Sequence, residues 1–188
     1  MADKSVPTSD HIRDIISFVE ASPTSYHAVA ELTRRLEQAG FQRLEETESW
    51  PSVEGRRYVV RDGAVIAWIT PEKVTPQLGA RIVGSHTDSP SFKLKPNATV
   101  TNQGWQQVGM EVYGGGLLNS WLDRDLGLSG RLVTCDGQAH LVRTGPILRI
   151  SQLAPHLDRT VNDDLKLDRQ RHLMPILSVG KPDLDVED

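Results

Sequence analysis

The chain has 188 residues, of which 38% are hydrophobic and 24% charged, and its formal net charge is -4. This composition is typical of soluble globular proteins, and the length suffices for one domain or two small ones. The 21 Lys and Arg are scattered, whereas nucleic-acid binding requires a clustered basic face. No apolar run approaches the roughly 20 residues that cross a bilayer. We therefore expect neither a nucleic-acid partner nor a membrane span.

The first residues and the cysteine content bear on the compartment. The sequence opens with Met1-Ala2-Asp3 and lacks the apolar segment of a signal peptide. Cys135 is the single cysteine, which excludes an intrachain disulfide, and we expect it to be buried as a small apolar residue. These features predict a reducing, cytoplasmic location.

Two helices are predicted in the first forty residues. Apolar residues recur at helical spacing from Ile12 to Val19, which predicts an amphipathic helix over about 9–21. Pro23 ends it, because the residue before a proline is pushed out of the helical region. A second helix over 25–39 would bury Val29, and Gly40 would provide its left-handed stop.

A hairpin and a buried strand are predicted next. Two β-rich runs, 57–60 and 64–69, flank Asp62-Gly63, which is a strong hairpin signal. Residues 80–84 form a short apolar run that ends at Gly84-Ser85-His86. We expect this run to be a central buried strand that presents His86 at its carboxyl end.

The pattern changes after Pro96. Short β-like segments separated by glycine-rich turns follow, at 99–100, 108–112, 131–134, 140–143 and 147–150. The sequence then becomes polar and acidic from Asp163. We interpret residues 1–95 as an α/β region and 96–188 as a β-rich domain with a solvated tail.

The strongest candidate for a chemical role is the pair His86 and Asp88. An imidazole at the end of a buried strand can bind a metal, and a nearby carboxylate can fix the tautomer of its ring. The alternative is that His86 is a core histidine and that Asp88 begins a turn with Ser89 and Pro90. His-x-Asp spacing alone is a weak signal, so it leaves both interpretations open.

Two further motifs have structural alternatives. The segment from Tyr113 to Gly116 lacks the residues of a phosphate loop, and its glycines are better explained by a tight backbone path. Asp123 and Asp125 flank Arg124. They are either catalytic carboxylates or, as we prefer, members of a structural ion-pair network.

Several segments together resemble one enzyme family. Residues 84–96, GSHTDSPSFKLKP, resemble the first metal-site segment of the M18 family, the aspartyl aminopeptidases. Residues 21–29, 112–128 and 172–177 resemble further family blocks in the same order. The resemblance implies the amino-terminal part of a phosphorylase/hydrolase-like zinc-peptidase domain over 1–95. A β-rich dimerisation domain over 96–188, incomplete like the first, would follow it.

The resemblance also implies roles for three residues. His86 would be a Zn²⁺ ligand, and Asp88 the catalytic-site carboxylate that supports it. His156 matches a family histidine assigned either to zinc or to the active site of a neighbouring subunit. The family's dinuclear site acts on peptides with a free, acidic N-terminal residue, and its members form homo-oligomers.

The remaining family ligands and the general base lie beyond the segments quoted above. Family members are considerably longer than this chain, and a catalytic zinc needs three protein ligands and an open position. Two hypotheses follow. The chain is a truncated zinc aminopeptidase that is incompetent alone, or it is an inactive remnant that acts as an oligomerisation or scaffold module.

Overall fold

A computed structural model describes residues 8–50, 54–73, 75 and 79–180. The described residues form a mixed α/β structure, as the sequence predicts. The elements in chain order are α1 (Thr8–Ala21), α2 (Ser25–Gln38), β1 (Gln42–Arg43), β2 (Gly55–Arg61), β3 (Ala64–Thr70), β4 (Ser91–Asn102), β5 (Trp105–Tyr113), a short 3-10 helix (Leu118–Trp121), β6 (Asp125–Leu126), β7 (Ser129–Val133), β8 (Ala139–Arg143), β9 (Leu148–Arg149) and β10 (Ile176–Val179). No helix in these ranges is long and apolar enough to cross a membrane.

The chain divides into two compact units that interleave in sequence. The first unit comprises Met1–Ser89 and Ser129–Val142, and the second comprises Pro90–Leu128 and Arg143–Asp188. The sequence instead predicts a single boundary between residues 95 and 96. That point lies inside β4, which continues from Ser91 to Asn102.

The two predicted helices form in the first unit. The Thr24 side chain caps α2 by accepting a hydrogen bond from the His27 backbone N–H at 3.3 Å. Gly40 adopts a φ of 80° just after the helix, as predicted for a left-handed stop. Val29 is buried as expected, whereas the apolar stripe of α1 from Ile12 to Val19 is exposed.

The predicted hairpin is also confirmed. β2 and β3 pair antiparallel from Gly55↔Thr70 to Arg61↔Ala64, and β1 adds a short parallel edge. Tyr58 on β2 is buried, and its hydroxyl donates to Glu37 Oε1 at 2.6 Å. Burial, together with this carboxylate, raises the pKa of Tyr58 to about 12. The strand is thereby joined to α2 through a half-buried hydrogen bond.

The strand expected at residues 80–84 is absent, and this prediction was wrong. The segment has irregular backbone, and Ile82 and Val83 are 88% and 97% exposed. A buried strand requires paired neighbours and cover on both faces. Among the described residues, the first unit has the sheet β1-β2-β3 and the pair β7-β8, and neither pairs with this segment.

The second hairpin of the first unit carries the cysteine. β7 pairs with β8, and the turn between them includes Cys135. The thiol is exposed, so the expectation of a buried cysteine was wrong. Most side chains of the two flanking strands are exposed as well, so this hairpin does not bury the thiol.

The second unit is built on a five-stranded antiparallel sheet with the order β4-β5-β10-β9-β6. Its core contains Ala98, Val108, Met110 and Leu148, all buried. Residues after Asp163 are not simply a solvated tail, and that expectation was wrong. β10 lies in the middle of the sheet, and the Val108 N–H donates to the Pro175 carbonyl at 2.8 Å.

Candidate functional site

His86 and Asp88 lie on an irregular segment that follows β3. Every described position from 79 to 90 is exposed except Thr87, which is half-buried. The side chains of His86 and Asp88 are 77% and 51% exposed. The alternative that His86 is a core histidine is therefore wrong.

The contact between His86 and Asp88 fixes the state of the imidazole. His86 Nδ1 lies 2.6 Å from the backbone carbonyl oxygen of Asp88 and 3.5 Å from Asp88 Oδ1. A carbonyl oxygen can only accept, so Nδ1 must carry the proton in this contact. In the neutral ring, the lone pair is then on Nε2. This is the arrangement by which a second contact prepares a histidine to bind a metal.

Thr87 is a residue of this segment for which the sequence analysis predicted no role. Its Oγ1 donates to the carbonyl oxygen of Gly63, in the turn between β2 and β3, at 2.6 Å. The two residues are 24 positions apart. The sequence shows a hydroxyl between two candidate site residues, but it does not indicate that this hydroxyl contacts Gly63.

His156 belongs to the second unit. It lies in a turn closed by hydrogen bonds from the N–H groups of Leu157 and Asp158 to the Ala154 carbonyl, at 2.9 and 3.1 Å. Its side chain is exposed. The role implied for this histidine stays a prediction.

These residues fit part of a zinc site and do not close one. Within residues 8–50, 54–73, 75 and 79–180, no group of three or more His, Cys, Asp or Glu is placed to hold a metal ion. His86 offers a prepared nitrogen, and Asp88 offers a carboxylate beside it. A catalytic zinc needs more ligands than this pair supplies.

The acidic pair Asp123 and Asp125 forms a structural network, as preferred from the sequence. Both carboxylates approach Arg149, with closest distances of 3.8 and 2.9 Å. Asp123 Oδ1 also accepts the N–H of Gln152 at 3.3 Å. The cation is therefore a residue of β9 rather than the intervening Arg124.

The glycines after Tyr113 have a packing role. Gly114 has a φ of 76°, and a side chain there would meet Cα of Pro90 at 3.3 Å. Phe92 and Trp121 are close in sequence to Pro90 and Gly114, and their ring centroids lie 4.7 Å apart. Two of the segments that resemble the family blocks thus pack against each other.

Comparison with known proteins identifies the class. A family profile described as Aminopeptidase I zinc metalloprotease (M18) matches residues 18–188. The chain therefore belongs to the M18 family of metallopeptidases. The resemblance inferred from residues 84–96 is confirmed.

Individual relatives agree with this assignment. The chain is 55% identical over 172 residues to a protein named Probable M18 family aminopeptidase 2 from Streptomyces avermitilis, and 51% identical to its namesake from Streptomyces coelicolor. Each alignment covers 90% of this chain and 40% of the relative. The chain thus spans about two fifths of the length of these curated relatives.

Solved structures share the fold. A cryo-EM structure of an Ape4 and Nbr1 complex matches with a TM-score of 0.80 and 37% identity, over 88% of this chain and 33% of that one. A crystal structure of prApe1 matches with a TM-score of 0.82 and 30% identity, over 93% and 39%. A structure of the S. cerevisiae mApe1 dodecamer matches with a TM-score of 0.71 and 32% identity, over 78% and 36%.

Proposed function

We propose that this chain contributes one part of the metal site of a zinc-dependent aminopeptidase. The observation that carries the proposal is the contact between His86 Nδ1 and the Asp88 carbonyl at 2.6 Å. It leaves Nε2 of an exposed imidazole as the free nitrogen, in a chain that belongs to a family of zinc metalloproteases.

Three residues have proposed roles. His86 binds Zn²⁺ through Nε2, and the Asp88 carboxylate balances charge and keeps the ring oriented. His156 serves either a metal of its own subunit or the active site of a neighbour. A dinuclear zinc site would supply Lewis-acid polarisation of the first peptide carbonyl and a site for the substrate α-amino group.

The substrate is proposed to be a peptide with a free N-terminus and an acidic first residue, Asp or Glu. The acidic preference rests on the resemblance of residues 84–96 to aspartyl aminopeptidases. The assembly is proposed to be a homo-oligomer in the cytoplasm, with a dimerisation role for the β-rich second unit. Support for an oligomer comes from the dodecamer named in one structural relative.

We further propose that the 188-residue polypeptide is inactive by itself. The described residues bring together no three metal-binding side chains, and hydrolysis by activated water needs a closed ligand set and a base. An alternative is a non-enzymatic oligomerisation or scaffold module. The exposed apolar residues of the first unit, such as Ile82 and Val83, favour it because such surfaces commonly bind other proteins.

An anilide assay separates these functions. The purified chain is incubated with Asp- and Glu-p-nitroanilide and Zn²⁺ or Co²⁺, first alone and then with the part of the Streptomyces avermitilis relative that it does not match. We expect no hydrolysis alone and measurable hydrolysis in the mixture. His86→Ala should abolish the regained activity, and His140→Ala, an exposed histidine on β8, should retain it.

Two outcomes would contradict the proposal. Hydrolysis by the chain alone would overturn its inactivity. Regained hydrolysis that His86→Ala leaves unchanged would remove His86 from the metal site. A mixture that stays inactive while the two polypeptides associate would favour the scaffold module.

A further inference from the structure

We infer that Thr87 is a positioning residue, which fixes the His86–Asp88 segment to the turn between β2 and β3. This inference rests on the proposed function of His86 as a ligand and deepens it. The contact is the hydrogen bond from Thr87 Oγ1 to the Gly63 carbonyl at 2.6 Å. Thr87 has no metal-binding role in it, and acts through the orientation of its two neighbours.

The contact of Thr87 with the turn restrains the residues on either side of it. Thr87 is half-buried against the turn, while His86 and Asp88 are exposed on either side of it. The two side chains lie together, with His86 Nδ1 3.5 Å from Asp88 Oδ1. Holding the Thr87 hydroxyl on the turn therefore restrains the backbone that bears both of them.

The turn that receives Thr87 is itself fixed on the side of α2. At Gly63, an added Cβ would lie 2.7 Å from Ser25 Oγ and 3.0 Å from Ser25 Cβ. A side chain at this position would displace Ser25, so glycine allows the turn to approach the first residue of α2 this closely. The Gly63 carbonyl is thus part of a closely packed contact.

A second contact fixes the turn on the side of β7. Asp62, which precedes Gly63 and has a φ of 51°, accepts a hydrogen bond from Arg131 Nη1 at 2.5 Å. The guanidinium of Arg131 lies over the ring of Tyr26, 4.4 Å from its centroid. The hydrogen bond to Asp62 raises the pKa of Arg131 above its ordinary value. Asp62, Arg131 and Tyr26 thus form a connected support behind the turn.

This support matters because the segment has no strand pairing. Residues 79–90 are irregular, and no ladder hydrogen bonds hold their backbone. A metal ligand must be held close to its productive orientation for tight binding. The hydroxyl of Thr87 performs part of the task that strand pairing performs elsewhere, by joining the ligand-bearing segment to the packed turn.

The test compares Thr87→Val, which removes the hydroxyl, with Thr87→Ser, which keeps it. Backbone ¹⁵N relaxation and the ¹H–¹⁵N correlation of the His86 ring are measured in the whole chain. Thr87→Val should increase the mobility of residues 85–88 and mix the ring tautomers, whereas Thr87→Ser should resemble the parent. The control is Thr134→Val, which removes a hydroxyl that donates to the Gln138 carbonyl at 3.1 Å in the β7–β8 turn.

A second readout uses Zn²⁺ alone, titrated while the His86 ring signals are followed. The Zn²⁺ concentration at half-saturation should rise about fivefold in Thr87→Val, the size expected for one net hydrogen bond. Thr87→Ser and Thr134→Val should leave it close to the parent value.

The two readouts distinguish failure of this inference from failure of the proposed function. Parent-like mobility and tautomer in Thr87→Val would overturn the positioning role, whatever the zinc titration gives. If no variant shifts its His86 signals with Zn²⁺, the chain alone does not hold the ion at His86, the ligand role is decided by His86→Ala in the mixed-polypeptide assay, and the mobility data still decide the role of Thr87.

Gly63→Ala is an independent variant, since it should displace the turn while the Thr87 hydroxyl is retained. It should reproduce the increased mobility at 85–88. Gly84→Ala is its control, because no atom lies within 4 Å of a Cβ added there. Equal mobility in the two glycine variants would contradict the fixed turn.

Discussion

The two units differ in how they bury their apolar residues. The second unit closes a core around Val108 and Leu148, within a five-stranded sheet. The first unit buries Tyr58 and Val29 but leaves the apolar stripe of α1, together with Ile82 and Val83, in solvent. Both units leave apolar side chains exposed, such as Leu117 and Leu157 in the second, but the second unit also closes a core of its own.

This difference suggests where each unit obtains its stability. Burial of apolar area is the dominant favourable term in folding. The second unit gains it from contacts among its own residues. The first unit depends more on local structure: the capped helix α2, the β2–β3 hairpin and ion pairs such as Glu31 with Arg35. Three measurements test the comparison.

The largest expected effect comes from one isoleucine in each unit. Ile150 in the second unit is 1% exposed, and Ile15 on α1 is 63% exposed. Ile150→Ala should lower the free energy of unfolding by about 2–5 kcal/mol through lost burial and a cavity. Ile15→Ala should change it by less than about 0.5 kcal/mol. Urea unfolding followed by circular dichroism measures both, and similar losses would refute the contrast between the units.

Self-association should provide the next largest effect. Replacing Ile82 and Val83 with Lys removes two exposed apolar side chains of the first unit. Burying each in a contact contributes roughly 1.5–3 kcal/mol. The double variant should therefore lower the association constant of the chain at least about tenfold by sedimentation velocity. Leu157→Lys alters an exposed leucine of the second unit, and an equal or larger loss there would assign the association to the dimerisation role proposed for that unit instead.

The smallest expected effect is a pH dependence on α2. Hydrogen bonds from Arg34 and then Arg35 lower the pKa of Glu31 from 4.5 to about 2. A pKa lowered by folding stabilises the folded state above about pH 4.5 and loses this contribution as the pH falls toward 2. Glu31→Gln should cost about 1 kcal/mol at pH 7 and flatten the acid limb of the stability profile.

The matched residue in the second unit is Glu111. Lys95 and Gln170 lower its pKa, but its carboxylate is exposed to solvent. Glu111→Gln should therefore alter the acid limb less than Glu31→Gln does. If the acid limb of the stability profile is equally steep in both variants, the ion pairs of α2 stabilise the chain no more than the exposed pair of Glu111 does.

The sequence predicted well the elements that local signals determine. Both helices, their proline and glycine boundaries, and the Asp62-Gly63 hairpin follow from residues within a few positions of each other. The apolar run at 80–84 was wrongly predicted to be a strand, because its structure depends on distant residues. It has the composition of a buried strand, but burial depends on residues elsewhere in the chain that must cover it.

Long-range pairings explain what was missed. β10 is a four-residue strand in a polar stretch, and its place beside β5 depends on residues about 70 positions earlier, such as Gln107 opposite Ile176. Likewise, His86 and Asp88 were selected as candidates by the family resemblance, because their spacing alone is a weak signal. The hydrogen-bond partner of Thr87 could not be predicted, because every residue has a backbone carbonyl and the accepting residue carries no sequence signal.

The central position of β10 also has a consequence for synthesis on the ribosome. β5 emerges early, but its neighbour in the sheet is completed only when residues 176–179 have left the exit tunnel. Until then β5 presents an open edge toward the nascent chain and its surroundings. Pairing across such a sequence separation is slow compared with the formation of a helix or hairpin. The second unit therefore completes its sheet late, after the helices and hairpins of the first unit have had time to form.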